Sequence, residues 1–219
     1  EAERGLLRSM LIENSNDLYA TSQIQAATPL TIDGAPTILA SGEGAYDFVG
    51  SLTNPNDDWW AEVVYQFTYG ADASTEAQTA LVYPRQKRPV LTLGVKSSRP
   101  ANANLRVLSL SWHRIDPHVT PDFAAWKSER LTMTVSDAAF SPLPGNGGEP
   151  LGRASFSVKN ESAFGYWSAP FAVLLKRGSA VVGASATTLE AFEAGETRRV
   201  DLTWFGSVPG VDTVEVIPL

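Results

Sequence analysis

Val63-Val64-Tyr65-Gln66-Phe67-Thr68-Tyr69-Gly70 is the stretch on which the fold turns. Val63, Tyr65, Phe67 and Tyr69 alternate with Val64, Gln66 and Thr68, so one set faces each side of a β-strand. Asn54-Pro55-Asn56-Asp57-Asp58-Trp59 precedes the run, and Gly70 ends it. A second stretch reads alike. Asn160-Glu161-Ser162 leads through Trp167 to Phe171-Ala172-Val173-Leu174-Leu175-Lys176-Arg177-Gly178. Trp59 and Trp167, Gly70 and Gly178, Thr79 and Thr187, and Leu81 and Leu189 all share an offset of 108 residues. Asn54 to Asn160 is 106, which puts a two-residue insertion before Trp167. The spacing predicts two copies of one module.

The period of two continues outward. It recurs at Tyr46/Phe48/Gly50/Leu52, Leu91/Leu93/Val95 and Leu108/Leu110/Trp112. The later half repeats it at Leu131/Met133/Val135, Phe156/Val158, Phe171/Val173/Leu175, Val200/Leu202/Trp204 and Val214/Val216. Turn signals separate these runs: Pro84-Arg85, Pro144-Gly145-Asn146-Gly147-Gly148, Ala194-Gly195-Glu196 and Pro209-Gly210. Short strands at this spacing predict an all-β fold of mostly antiparallel sheets with one wet face each. The expected layout is a β-sandwich module over 1–115, a proline-containing linker over 116–126 and a second sandwich over 127–219. Leu6, Leu7, Met10 and Leu11 predict a short amphipathic helix over 3–17 that docks on the first module, with the end of a stalk from an upstream membrane anchor as the alternative. Asp116-Pro117 and Thr120-Pro121 predict an extended crossing, with a strand beginning near Lys127.

The chain has 219 residues, of which 43% are hydrophobic and 19% charged, the balance of a folded chain. No apolar stretch is long enough to span a bilayer as a helix. A net charge of −7 argues against nucleic acid as a partner. Cysteine is absent, which excludes disulfides, thiolate metal sites and cysteine nucleophiles. The first residue is Glu1, not Met, so the chain is expected to be processed or truncated, with any signal peptide or membrane anchor upstream.

Aromatic residues supply the candidate ligand contacts. Trp59-Trp60 and Tyr166-Trp167 are adjacent pairs at matching places, and neighbours on a strand point to opposite faces. Trp59 and Trp167 are expected to plug the two cores, as large aromatics commonly do. Trp60, Trp126 and Tyr166 are left as possible ligand contacts, because an exposed ring can stack on a sugar. His113 and His118, with Asp116 and Asp122, have the chemistry of a divalent-metal set but no hallmark spacing, and no metal site is expected. Asn54, Asn56, Asp57 and Asp58 could offer oxygens to calcium, but Asn-Pro followed by Asn and Asp reads first as a turn. Asn160-Glu161-Ser162 is a formal N-glycosylation acceptor. No nucleophile elbow, zinc-protease helix or phosphate loop occurs, so no catalytic residue and no cofactor is assigned.

Tyr46-Asp47-Phe48-Val49-Gly50-Ser51-Leu52-Thr53-Asn54-Pro55-Asn56 followed by Tyr65-Gln66-Phe67-Thr68-Tyr69 resembles uncharacterised bacterial, candidate-phylum envelope proteins. The later half is similar to their FxLYD-type modules. The similar stretches are Ser157-Val158-Lys159-Asn160, Phe171-Ala172-Val173-Leu174-Leu175, Ala194-Gly195-Glu196-Thr197 and the run Val211 to Val216. Tyr69-Gly70 and Lys176-Arg177 stand where those modules carry Tyr-Asp. The resemblance covers 46–115 and 127–219. It implies tandem immunoglobulin-like sandwiches outside the cytoplasmic membrane, anchored or secreted, without enzymatic activity. The function expected is a structural or interaction module that meets a protein partner or another envelope component, with membrane contact only through an upstream anchor. A carbohydrate-binding module built on the exposed rings is the alternative, and an enzyme with its site between the modules is the third. The edge strands expected to recruit a partner lie near Gln23–Thr28 and Thr213–Ile217.

Overall fold

The computed structural model describes residues 26–143, 151–205, 208 and 210–219. The helix expected over 3–17, the first part of the Gln23–Thr28 edge, the loop at 144–148 and Pro209 of the last turn lie outside these residues. Residues 26–28 are not in a strand.

The first half contains β1 (Thr31–Ile32), β2 (Thr37–Gly42), β3 (Ala45–Thr53), β4 (Trp59–Tyr69), β5 (Ala73–Ser74), β6 (Gln78–Val82), β7 (Lys87–Lys96) and β8 (Asn104–Arg114). A helix follows, α1 (Phe123–Leu131). The second half contains β9 (Met133–Leu143), β10 (Leu151–Asn160), β11 (Tyr166–Arg177), β12 (Ala180–Phe192), β13 (Thr197–Phe205) and β14 (Thr213–Pro218). All pairings are antiparallel. In the first half, β3 lies between β2 and β7, and β4 lies between β6 and β8. In the second, β10 lies between β9 and β13, and β11 lies between β12 and β14. Apart from the two-residue strands β1 and β5, which add to β3 and β4 in the first half alone, the strand order is the same in both halves.

Each half closes its two sheets on a core of alternating residues. Phe48, Leu52 and Val90 meet Ala61, Val63, Tyr65, Phe67 and Val82 in the first. Phe156, Val158 and Val200 meet Ala169, Phe171, Val173, Leu175 and Phe192 in the second. The ladders align these positions. Leu52 lies opposite Arg88 and Gly50 opposite Val90, as Val158 lies opposite Arg198 and Phe156 opposite Val200. Phe48 and Gly50 therefore match Ala154 and Phe156: the large ring has moved two residues along one face. Glycine at 50 leaves room for these side chains, since a Cβ there would lie 3.1 Å from both Phe67 and Leu105, which would have to give by a few tenths of an ångström.

The strongest likeness is a buried corner. The Asn54 N–H donates to the Gln86 carbonyl (2.9 Å), and the Asn160 N–H donates to that of Glu196 (2.9 Å). The Asn54 amide donates to the carbonyls of Trp59 (2.6 Å) and Val82 (3.2 Å). The Asn160 amide donates to those of Phe164 (2.7 Å) and Glu193 (2.9 Å). Each Oδ1 accepts a backbone N–H two residues on, from Asn56 or Ser162, at 3.0 Å. Both asparagines are fully buried. Buried polar groups persist where their bonds are complete, and these side chains tie strand, loop and turn together.

The halves touch through sheet faces. Val49 and Leu91, on the outer side of β3 and β7, pack with Ala172, Leu174 and Ala184 of β11 and β12. This explains why Phe171 to Leu175 are all buried: both faces of β11 are covered. Its counterpart β4 keeps a wetter outer face at Glu62, Val64 and Gln66.

Four expectations need correction. The strand expected at Lys127 starts at Met133 instead, after α1. Asp122 caps the helix by accepting the Ala125 N–H (2.9 Å), and Phe-Ala-Ala-Trp-Lys-Ser-Glu-Arg-Leu is a good helix former. Trp167 is not in the core but 90% exposed, and Trp59 is half-buried. Trp167 matches Trp59 in register, but three residues are added at the end of β12, where Ala191 takes φ 49°. Phe192 fills the core there in its place. Leu81 matches Thr188 rather than Leu189, because Leu81 pairs with Glu62 and Thr188 with Pro170. Leu189 instead matches the buried Val82, and a slip of one residue reverses the face.

Candidate functional site: an aromatic groove beside the connecting helix

The antiparallel ladder sets Trp60 opposite His113, and the two rings stack at 4.0 Å with 13° between their planes. Trp60 thereby presents one remaining face to a groove of about 430 Å³. Leu81, Tyr83, Phe123 and Trp126 complete its apolar wall, and Arg114 and Asp116 contribute charge. The volume is in the range of small-ligand sites. Leu81 is 38% exposed and Val119 79%, so the wall continues to the surface.

The helix supplies the other side. Phe123 stacks on Trp126 one turn later at 5.5 Å, and the Arg130 guanidinium lies over Trp126 at 5.2 Å. Arg130 also lies over Phe164 at 4.8 Å, and Tyr83 approaches Phe123 at 6.2 Å. The result is a ladder Tyr83–Phe123–Trp126–Arg130–Phe164. Tyr83 belongs to the turn beside the Asn54 corner and Phe164 to the loop of the Asn160 corner. The helix therefore joins equivalent corners of the two halves through ring and cation–π contacts.

Of the three aromatic candidates, Trp60 and Trp126 meet in this groove. Tyr166 lines a separate cleft between the halves. Trp126 has Phe123 one turn before it and Arg130 one turn after it, which leaves Trp60 as the better stacking platform. Phe123 and Tyr83 were not singled out by the sequence reading, although the Phe123/Trp126/Arg130 spacing was its available signal.

Four of the polar candidates have structural partners, whereas the buried His113 Nε2 has none among the described residues. Asp116 accepts the His118 N–H (2.8 Å) and Asp122 caps α1. Asn56 exchanges hydrogen bonds with Thr28 through its Oδ1 (2.7 Å) and Nδ2 (2.8 Å). Asp57 receives two bonds from Arg85 (2.5 and 2.7 Å), and this guanidinium holds its carboxyl below the ordinary aspartate value. Among the described residues no group of three His, Cys, Asp or Glu side chains is placed to hold a metal. No helix among them is long and apolar enough to cross a membrane.

The chain matches no protein-family model and no curated protein.

Proposed function

We propose that this chain is a non-catalytic interaction element of a bacterial envelope protein: two tandem immunoglobulin-like β-sandwich modules, working outside the cytoplasmic membrane. The resemblance of 46–115 and 127–219 supports the setting, and the repeated strand order and asparagine corner support the duplication. One observation carries the reading. The dry contact of Val49 and Leu91 with Ala172, Leu174 and Ala184 fixes one half against the other. A fixed pair presents a surface that spans both modules and can act by shape alone. The groove at Trp60, Leu81 and Trp126 is the contact surface for an envelope protein partner. Introducing charge there by Leu81→Glu should abolish capture of a partner identified from envelope extract, with the fold intact by circular dichroism. Capture that survives Leu81→Glu would contradict the assignment of the groove.

The free face of Trp60 favours a second reading, a carbohydrate-binding module, because one ring face beside Arg114 and Asp116 is the minimum of a sugar platform. A glycan array that includes peptidoglycan fragments separates the two. Specific glycan binding lost in Trp60→Ala would decide for the second.

A further inference from the structure

The two halves give each other an internal control at one arginine. Arg88 and Arg198 occupy the same place, opposite Leu52 and Val158. Arg198 is compensated. Its Nε donates to Glu196 (2.8 Å), its Nη1 to the Glu190 carbonyl (2.7 Å) and its Nη2 to the Ala191 carbonyl (3.2 Å). It also lies over the Phe192 ring at 5.4 Å. In the first half the residue matching Glu196 is Gln86. The turn is unchanged: the Gln86 Oε1 accepts the Tyr83 N–H (2.8 Å) as the Glu196 Oε2 accepts the Glu193 N–H (2.8 Å). Arg88 thus lacks the carboxylate, and also the two carbonyls and the ring that the longer β12 offers Arg198.

Arg88 is nonetheless the more buried of the two, at 9% exposure. Its Nε has no partner among the described residues, and it forms no salt bridge among them. A buried guanidinium nitrogen without a partner costs stability, and the Arg88 Nε is one. Burial pushes Arg88 below the ordinary arginine value.

Arg88 opens on a cleft of about 340 Å³ where the two halves meet. The Tyr166 hydroxyl, also buried and without a partner among the described residues, lines the same cleft. Lys127 adds a second positive charge, and Leu131, Met133 and Ile217 supply apolar wall. We propose that this cleft binds a small molecule with one carboxylate on an apolar body, its carboxylate pairing with the Arg88 guanidinium from the cleft as the Glu196 carboxylate pairs with Arg198. The Tyr166 hydroxyl donates to the same carboxylate, and the apolar body lies on Leu131, Met133 and Ile217. Glu196 shows that this arginine position accepts a carboxylate, and the apolar wall disfavours inorganic phosphate.

Calorimetric titration of the folded chain with phenylacetate and octanoate tests this, with phenylacetamide and inorganic phosphate as controls. Saturable binding of a carboxylate is expected, and none of the controls. Arg88→Met should weaken it roughly ten- to a hundredfold, the loss expected for a charged hydrogen-bonding partner, and should not lower the melting temperature. Gln86→Glu should also abolish binding, by restoring the internal carboxylate, and should raise the melting temperature; it decides the matter if Arg88→Met does not fold. No saturable binding of either carboxylate would overturn the proposal. So would equal binding of phenylacetamide, or binding that survives Gln86→Glu.

Discussion

Asn54 and Asn160 make the same set of buried hydrogen bonds in the two halves, each joining the end of one strand to the start of the next and to the turn opposite. Removing either side chain leaves two buried or part-buried carbonyls and a buried backbone N–H without their protein partner. Asn54→Ala and Asn160→Ala should each cost about 3 kcal/mol, since an unsatisfied buried group costs about 1–3 kcal/mol. Urea unfolding is the check, and a midpoint unchanged in either variant would show that water replaces the amide without penalty.

The aromatic beside the second corner should behave differently from its sequence position. Phe192→Ala should cost about 3–5 kcal/mol, the usual result of deleting a core ring. Trp167→Ala should stay within about 0.5 kcal/mol, because the side chain lies at the surface. Thermal melts of both variants read the contrast, and the reverse order would place Trp167 in the core.

Glu196 provides a pH test. The Glu193 N–H and then Arg198 hold its carboxyl below the ordinary glutamate value. A folded value below the unfolded one contributes stability that is present above the unfolded value and is lost as the pH falls through the folded one. Glu196→Gln keeps an acceptor for the Glu193 N–H, as Gln86 does for Tyr83, but cannot titrate. The stability gap between the wild type and this variant should therefore narrow as the pH is lowered from neutrality past the ordinary glutamate range. Urea midpoints measured across that range would show a constant gap if Glu196 were not responsible.

Arg130 should couple the helix to the second half. Arg130→Ala removes the cation from Trp126 and Phe164 and should cost about 1 kcal/mol, the size of a partly exposed cation–π contact. Faster amide exchange is expected at 123–131 and at Phe164, while Phe48 and Val63 in the core stay protected. Unchanged exchange at Phe164 would show that the ladder does not hold the loop.

The alternating runs around Phe67, Phe156, Val173 and Val200 were legible because a half-buried strand writes its period directly into the sequence. The contact between halves was not read, although the run Phe171 to Leu175 is unbroken and apolar, because alternation alone does not reveal a second covered face. Helix α1 escaped notice because Pro117 and Pro121 dominate that stretch, and nine residues are too few for a clear helical period. Leu189 and Trp167 were misplaced for different reasons. The offset of 108 holds along β4 and β11, but the second half has one residue fewer between Gly178 and Thr188 than the first has between Gly70 and Leu81. Trp167 keeps the offset and loses its core place beside the residues that β12 gains at Ala191. In the groove, Trp60 and Trp126 were visible as aromatic residues, whereas their meeting depends on a helix that tertiary contacts complete. Arg88 drew no attention because an arginine beside a lysine and a proline looks like solvated surface. Its match to Arg198 is what marks it as the one of the pair with no carboxylate beside it among the described residues.

The two halves form one body, held by the β3–β7 and β11–β12 faces and by the ladder from Tyr83 to Phe164. Residual dipolar couplings of backbone amides test it directly, fitted separately for residues 30–114 and 133–219. The account predicts one alignment tensor, the same in magnitude and orientation for both halves. Two different tensors would mean that the halves tumble independently, and would contradict a surface shared between them.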